Sequence, residues 1–152
     1  MKLLKYAGLL VIGAATVYFL GPAPKTPMYT DDLIHVPNDP LELENFIEIH
    51  EKKYEPIKAG NEAKIIWYND SLKNKTPFSL VYLHGFSASH EEGNPIHTQI
   101  AKAYGMNLLL TRLADHGRAD DEPLSGFTAT GAWEDAKTAL AVGKAIGEKV
   151  IL

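Results

Sequence analysis

The first long run of the chain is apolar. MKLLKYAGLLVIGAATVYFL opens with Lys2 and Lys5 and then carries no charge from Tyr6 to Leu20. Such a start reads as a targeting segment, not as domain core. A membrane span needs about 20 apolar residues, and counting from Leu3 with Lys5 snorkelling brings the stretch close to that length. The pattern predicts a signal anchor. A cleaved signal peptide is the competing reading, with Gly13, Ala14 and Ala15 as the small residues for a cut. GPAPKTP then places three prolines in seven residues, a stiff extended linker. The expected organisation is a signal anchor or signal peptide over 1–21, a Pro-rich linker over 22–27 and one domain over 28–152.

Within the domain the pattern changes type repeatedly. Asp39 before Pro40 is a helix start, the carboxylate capping free N–H groups and the proline fitting the first turn. Leu43, Phe46, Ile47, His50 and Tyr54 fall three or four apart, which predicts an amphipathic helix through about Tyr54. AKIIWY (63–68) and FSLVYL (78–83) read as strands on either side of a polar turn. The second lacks polar alternation and is expected to be fully buried, covered on both faces by helices. PIHTQIAKAY predicts a helix with Ile96, Ile100, Ala103 and Tyr104 as its apolar side and Gly105 at its end. MNLLLTRL reads as another buried strand, and Thr128 or Thr130 starts a helix through AWEDAKTALAVGKAIG, in which Glu134 and Asp135 suit the positive end of the helix dipole. KVIL (149–152) has the makings of a further buried strand. Helix, strand, strand, helix, strand, helix, strand is the order of an α/β domain with a mostly parallel sheet flanked by helices.

Composition narrows the chemistry. Fifteen Lys and Arg against 19 Asp and Glu give a net charge of −4, without the basic excess that a nucleic-acid surface needs. The absence of cysteine excludes disulfides, thiolate metal sites and a cysteine nucleophile. His84, His90, His97 and His116 with Glu91 and Glu92 show no HExxH spacing, so they read as solvated loop histidines and not as a metal site. No glycine-rich phosphate loop is present, and no cofactor is expected. Asp115, Arg118, Asp120, Asp121 and Glu122 read as a solvated charged turn, and Trp67 and Trp133 as packing residues.

Parallel sheets bind ligands at the carboxyl ends of their strands. That directs attention to the two polar strand endings, HGFSASHEEGN and ADHGRADDEP. Alone, a His-Gly pair after a strand reads first as a plain turn with His84 bonded to a neighbouring loop. Taken together, VYLHGFSAS before a helix, MNLLLTRL ending in DHGR, and a helix running into EKVIL resemble the N-terminal part of an α/β-hydrolase of the esterase and lysophospholipase branch, over about 63–152.

The resemblance implies a partial α/β-hydrolase fold and a serine hydrolase that cleaves carboxylic esters, acyl lipids among them. It implies that the backbone N–H of Phe86 donates to the oxyanion, that Gly85 and His84 shape the loop, and that Ser87 and His116 stand near substrate. No GxSxG occurs in the 152 residues, and the nearest sequence, GFSAS, sits in the wrong element. Nucleophile and triad would therefore lie beyond Leu152, and the chain reads as a fragment that is inactive alone. A hydrolase-like binding or scaffolding domain without catalysis is the alternative. Substrate identity and oligomeric state are not legible.

Overall fold

The computed structural model describes residues 2–23, 27 and 29–152. The expected linker is therefore described only at Pro22, Ala23 and Pro27, and the first expected domain residue, Met28, lies outside the described residues. Helix α1 runs from Lys2 to Leu20, and every residue from Lys5 to Leu20 is exposed. Among the described residues no helix is long and apolar enough to cross a membrane, so the expected spanning anchor is not shown.

The domain follows the predicted order. Helix α2 (Pro40–Lys52) is capped by Asp39, whose Oδ1 accepts from the N–H groups of Leu41 and Glu42 at 3.0 Å each. Strands β1 (Lys64–Ile66) and β2 (Thr76–Tyr82) come next, then a 3₁₀ turn (His90–Gly93) and helix α3 (Ile96–Ala103). Strand β3 (Asn107–Leu110), helix α4 (Ala129–Ile146) and strand β4 (Gly147–Ile151) follow. Thr128, and not Thr130, caps α4 through Oγ1, which accepts from Gly131 N–H at 3.0 Å.

The sheet has four strands in the order β1-β3-β2-β4. β2 pairs parallel with β3 and with β4, and β1 closes one edge antiparallel to β3. The fold is thus α/β with a mostly parallel sheet.

Strand alternation sends side chains to two cores. Leu80, Tyr82, Leu108 and Leu110 face α3 with Ala101 and Met106, whereas Val81 and Leu109 face α2 and α4 with Leu43, Ile47, Ala139, Val142 and Ile146. A leucine fully buried in this way contributes about 1.5–3 kcal/mol. Asn107, almost fully buried, ties the non-site end together: Oδ1 accepts from Tyr68 N–H, and Nδ2 donates to the carbonyls of Asn74 and Ile146.

Three expectations about faces fail. In α3 the buried residues are His97 and Ala101, while Ile96, Ile100 and Tyr104 are 65%, 40% and 77% exposed. Small Ala101 lets the helix approach Leu108 and Leu110, and the His97 ring meets Tyr82 edge-on at 4.8 Å, so the bulkier side faces out. β2 is buried only at its carboxyl half, at Ser79 and Val81, and Phe78 is 42% exposed. β4 lies on a sheet edge, and of its residues only Gly147 is buried.

Candidate functional site

Two loops meet at the carboxyl ends of β2 and β3, residues 83–89 and 111–128. A cleft of about 380 Å³ lies between them, lined among others by Ser87, Ser89 and Glu92 on one side and His116, Gly117 and Arg118 on the other.

The first loop turns tightly at residues 85–88, where Ala88 N–H donates to the Gly85 carbonyl at 3.2 Å. Ser87 occupies the third position with φ +63°, the left-handed conformation that a type II turn requires there. His84 braces this turn from beneath. Leu113 N–H can only donate, so His84 Nε2 accepts from it at 3.0 Å and the ring proton resides on Nδ1, which donates to the Gly85 carbonyl at 2.9 Å. His84 therefore links the end of β3 to the Gly85–Phe86 peptide. That carbonyl is held twice, by His84 and by Ala88, and because a peptide unit is planar, fixing the oxygen also fixes the direction of Phe86 N–H.

The neighbouring amides are occupied. Gly85 N–H donates to Glu92 Oε1 at 2.5 Å, and Ser87 N–H donates to His116 Nε2 at 3.0 Å. Phe86 N–H, between them, has no acceptor among the described residues. The Phe86 side chain is 68% exposed and packs edge-on against His116 and Phe127, at 5.6 and 5.2 Å between ring centres.

His116 donates from Nδ1 to the Ala114 carbonyl at 3.0 Å, so both of its ring nitrogens are engaged with backbone. It lines the cleft as a wall, not as a hydrogen-bonding partner for substrate. Ser87 lines the cleft from the opposite side.

The expectation of solvated histidines is overturned: His84, His90, His97 and His116 are at most 4% exposed. At His84 and His116 the loops fold inward because imidazole supplies the acceptors that the Leu113 and Ser87 N–H groups require, whereas His97 donates from Nε2 to the His90 carbonyl at 2.8 Å. Burial, reinforced by the neighbouring His116, holds the His84 imidazole below its ordinary value, against the opposing pull of the Gly85 carbonyl and Glu92. Burial does the same to His90, with Lys64 adding to it. Among the described residues no group of three or more His, Asp or Glu side chains is arranged to hold a metal ion.

A charged cluster, which the residue pattern did not announce, supports the second loop. Arg112 forms a bidentate pair with Glu51 of α2, Nε to Oε2 at 2.7 Å and Nη2 to Oε1 at 3.0 Å, with both side chains buried. The remaining guanidinium nitrogen donates to the carbonyls of Leu113 and His116 at 3.2 and 3.1 Å, and the Tyr54 ring lies 4.6 Å from the guanidinium carbon. Asp135 of α4 accepts from Ala114 N–H at 2.6 Å, and burial raises its carboxyl pKa. Its role is to hold that loop, in place of the helix-dipole role expected for it. Arg118 is paired with Asp115 and Asp120, which closes the charged turn on itself.

The signals for these residues were faint but present. Glu51 falls four residues after Ile47 and eight after Leu43, on the apolar stripe of α2, and Glu92 comes six residues after Phe86, in the polar stretch that ends the HGF loop.

No family model, no curated protein and no solved structure matches the chain.

Proposed function

We propose that this chain forms the oxyanion side of a serine hydrolase site acting on carboxylic esters. One observation carries the reading: in the turn at the carboxyl end of β2, Phe86 N–H alone is unclaimed while its carbonyl partner in the same peptide is held twice. A preorganised donor of this kind stabilises the charge that develops on an acyl oxygen, by about 3–4 kcal/mol for one donor in measured cases.

Topology adds support. β4 runs parallel to β2, with Ser79 opposite Val150 and Leu80 opposite Ile151. A chain continuing along β4 would draw level with His84 at its third residue past Leu152. A strand-to-helix elbow at that point would put its serine beside the Phe86 amide and bring the second oxyanion donor from the residue that follows. The order β1-β3-β2-β4 with an antiparallel edge is compatible with the front part of an α/β-hydrolase sheet.

Phe86 and Phe127 pack edge-on beside the turn, and the exposed Phe86 ring is an apolar surface suited to an acyl group. We place the protein at a membrane surface, through the α1 segment, because its apolar side chains from Tyr6 to Leu20 are exposed. An ester drawn from acyl lipids fits that location.

The deciding experiment is to sequence the intact gene past the codon for Leu152. A GxSxG within a few residues is expected; a stop codon directly after Leu152 overturns the proposal.

A further inference from the structure

We infer that Glu92 and His116 are positioning residues that leave Phe86 N–H as the single free backbone amide of the turn, an inference that rests on reading that amide as an oxyanion donor. Each takes one of the two amides that flank it. Glu92 Oε1 holds Gly85 N–H at 2.5 Å and is itself the acceptor of the Tyr82 hydroxyl at 3.3 Å, which ties the start of the turn to β2. His116 Nε2 holds Ser87 N–H at 3.0 Å. Ser87 is in the left-handed region, which a side chain other than glycine's adopts at a cost, so the turn needs an external bond to keep it there.

The two residues arrive from different elements. Glu92 belongs to the 3₁₀ turn after the loop, and His116 to the opposite loop, where the Arg112 guanidinium holds its carbonyl at 3.1 Å. A line of contacts thus runs from Glu51 through Arg112 and His116 to the Ser87 amide. Without either brace, the flanking amides would compete with Phe86 for the same acyl oxygen or rotate the peptide between them.

Glutamine separates these roles from mere packing, because its side-chain oxygen still accepts a hydrogen bond while leucine's branched end does not. The test is amide hydrogen exchange on the ¹⁵N-labelled protein and its Glu92→Gln, Glu92→Leu, His116→Gln and His116→Leu variants. In the unsubstituted protein Gly85 and Ser87 are expected to be protected and Phe86 not.

Glu92→Leu should speed exchange at Gly85 by about tenfold or more and His116→Leu at Ser87, each sparing the other amide, with the glutamine variants close to the original. A ¹⁵N spectrum of the unsubstituted protein, which needs no variant to fold, should show His116 protonated on Nδ1 with Nε2 as acceptor. Unchanged protection in both leucine variants, equal loss in leucine and glutamine variants, or a proton on Nε2 overturns the inference. These outcomes are independent of whether a GxSxG follows Leu152, so the positioning and the catalytic reading fail separately.

Discussion

At the scale of single residues, the loops are held by side chains whose protonation matters. His84 and His90 are buried and both are held below the ordinary imidazole value, chiefly by that burial. Above about pH 6.5 the rings are neutral in both the folded and unfolded chain and impose no penalty. Below that, the unfolded chain takes up protons that the native rings resist, so stability falls with pH by up to about 1.4 kcal/mol per unit for each ring until its native value is reached. Asp135, raised by burial, acts in the opposite sense but only within the carboxylate range, where its native form takes up a proton first. The urea midpoint is therefore expected to be clearly lower at pH 5.5 than at pH 7.5, and equal midpoints would remove this account of the rings. Arg112 offers a sharper case. Arg112→Met strands the buried Glu51 carboxylate and frees the carbonyls of Leu113 and His116, so a loss of about 3–5 kcal/mol is expected in chemical denaturation. A loss under 1 kcal/mol would mean that the pair contributes little beyond what apolar packing would supply.

At the scale of elements, local chemistry sets the boundaries and tertiary packing sets the faces. Asp39 caps α2 with one carboxylate oxygen on two backbone donors, so Asp39→Ala should cost about 1 kcal/mol, read as a lower unfolding midpoint at unchanged slope. Asn at this position should retain most of it. Asp39-Pro40, Thr128 and Gly105 (φ +65°) were legible because cap and turn chemistry act within a few residues of chain. The element order was legible for a related reason, since a change from alternating to helical spacing of apolar residues survives any packing arrangement. The buried face of α3 was not. Ile96, Ile100 and Tyr104 have the correct spacing for a core stripe, yet His97 and Ala101 have it too, one residue along. The choice between the stripes depends on Tyr82, Leu108 and Leu110, residues of other strands that the helix meets only after folding. β4 shows the same limit: a run such as KVIL reads as buried, but its exposure is set by its place at the sheet edge. In the site, His84 and Gly85 were legible as a strand-ending turn, whereas Glu92 and Arg112 act through partners 7 and 61 residues away in the chain.

At the scale of the whole molecule, the described side chains of the N-terminal helix are exposed, and among the described residues the chain that follows meets the domain on α4. Thr30 is pinned twice: its carbonyl accepts from Trp133 Nε1 at 2.9 Å, its hydroxyl from Lys137 Nζ at 3.0 Å, and Tyr29 packs edge-on against Trp133 at 5.3 Å. Trp133 and Lys137 stand on either side of Asp135, the α4 residue that holds Ala114 in the second site loop. The chain that leads from α1 thus joins the domain at its site end. Side chains from Lys5 to Leu20 are exposed, so the described part of α1 adds nothing to the core of the domain, and removal of residues 1–20 tests this. The unfolding midpoint of that truncated protein should stay within about 0.5 kcal/mol of the original, as for changes away from packed features. Trp133→Ala should lower it, because the clip at Thr30 and the cover over α4 both go. Membrane affinity should divide the other way. The apolar side chains of α1 are exposed, and burying them in lipid is worth about 25 cal/mol for each Å² removed from water. The full chain is therefore expected to float with phospholipid vesicles in a density gradient, the truncated chain to stay at the bottom, and Trp133→Ala to float like the parent. If the truncated chain floats equally well, lipid contact lies in the domain and α1 is not the tether.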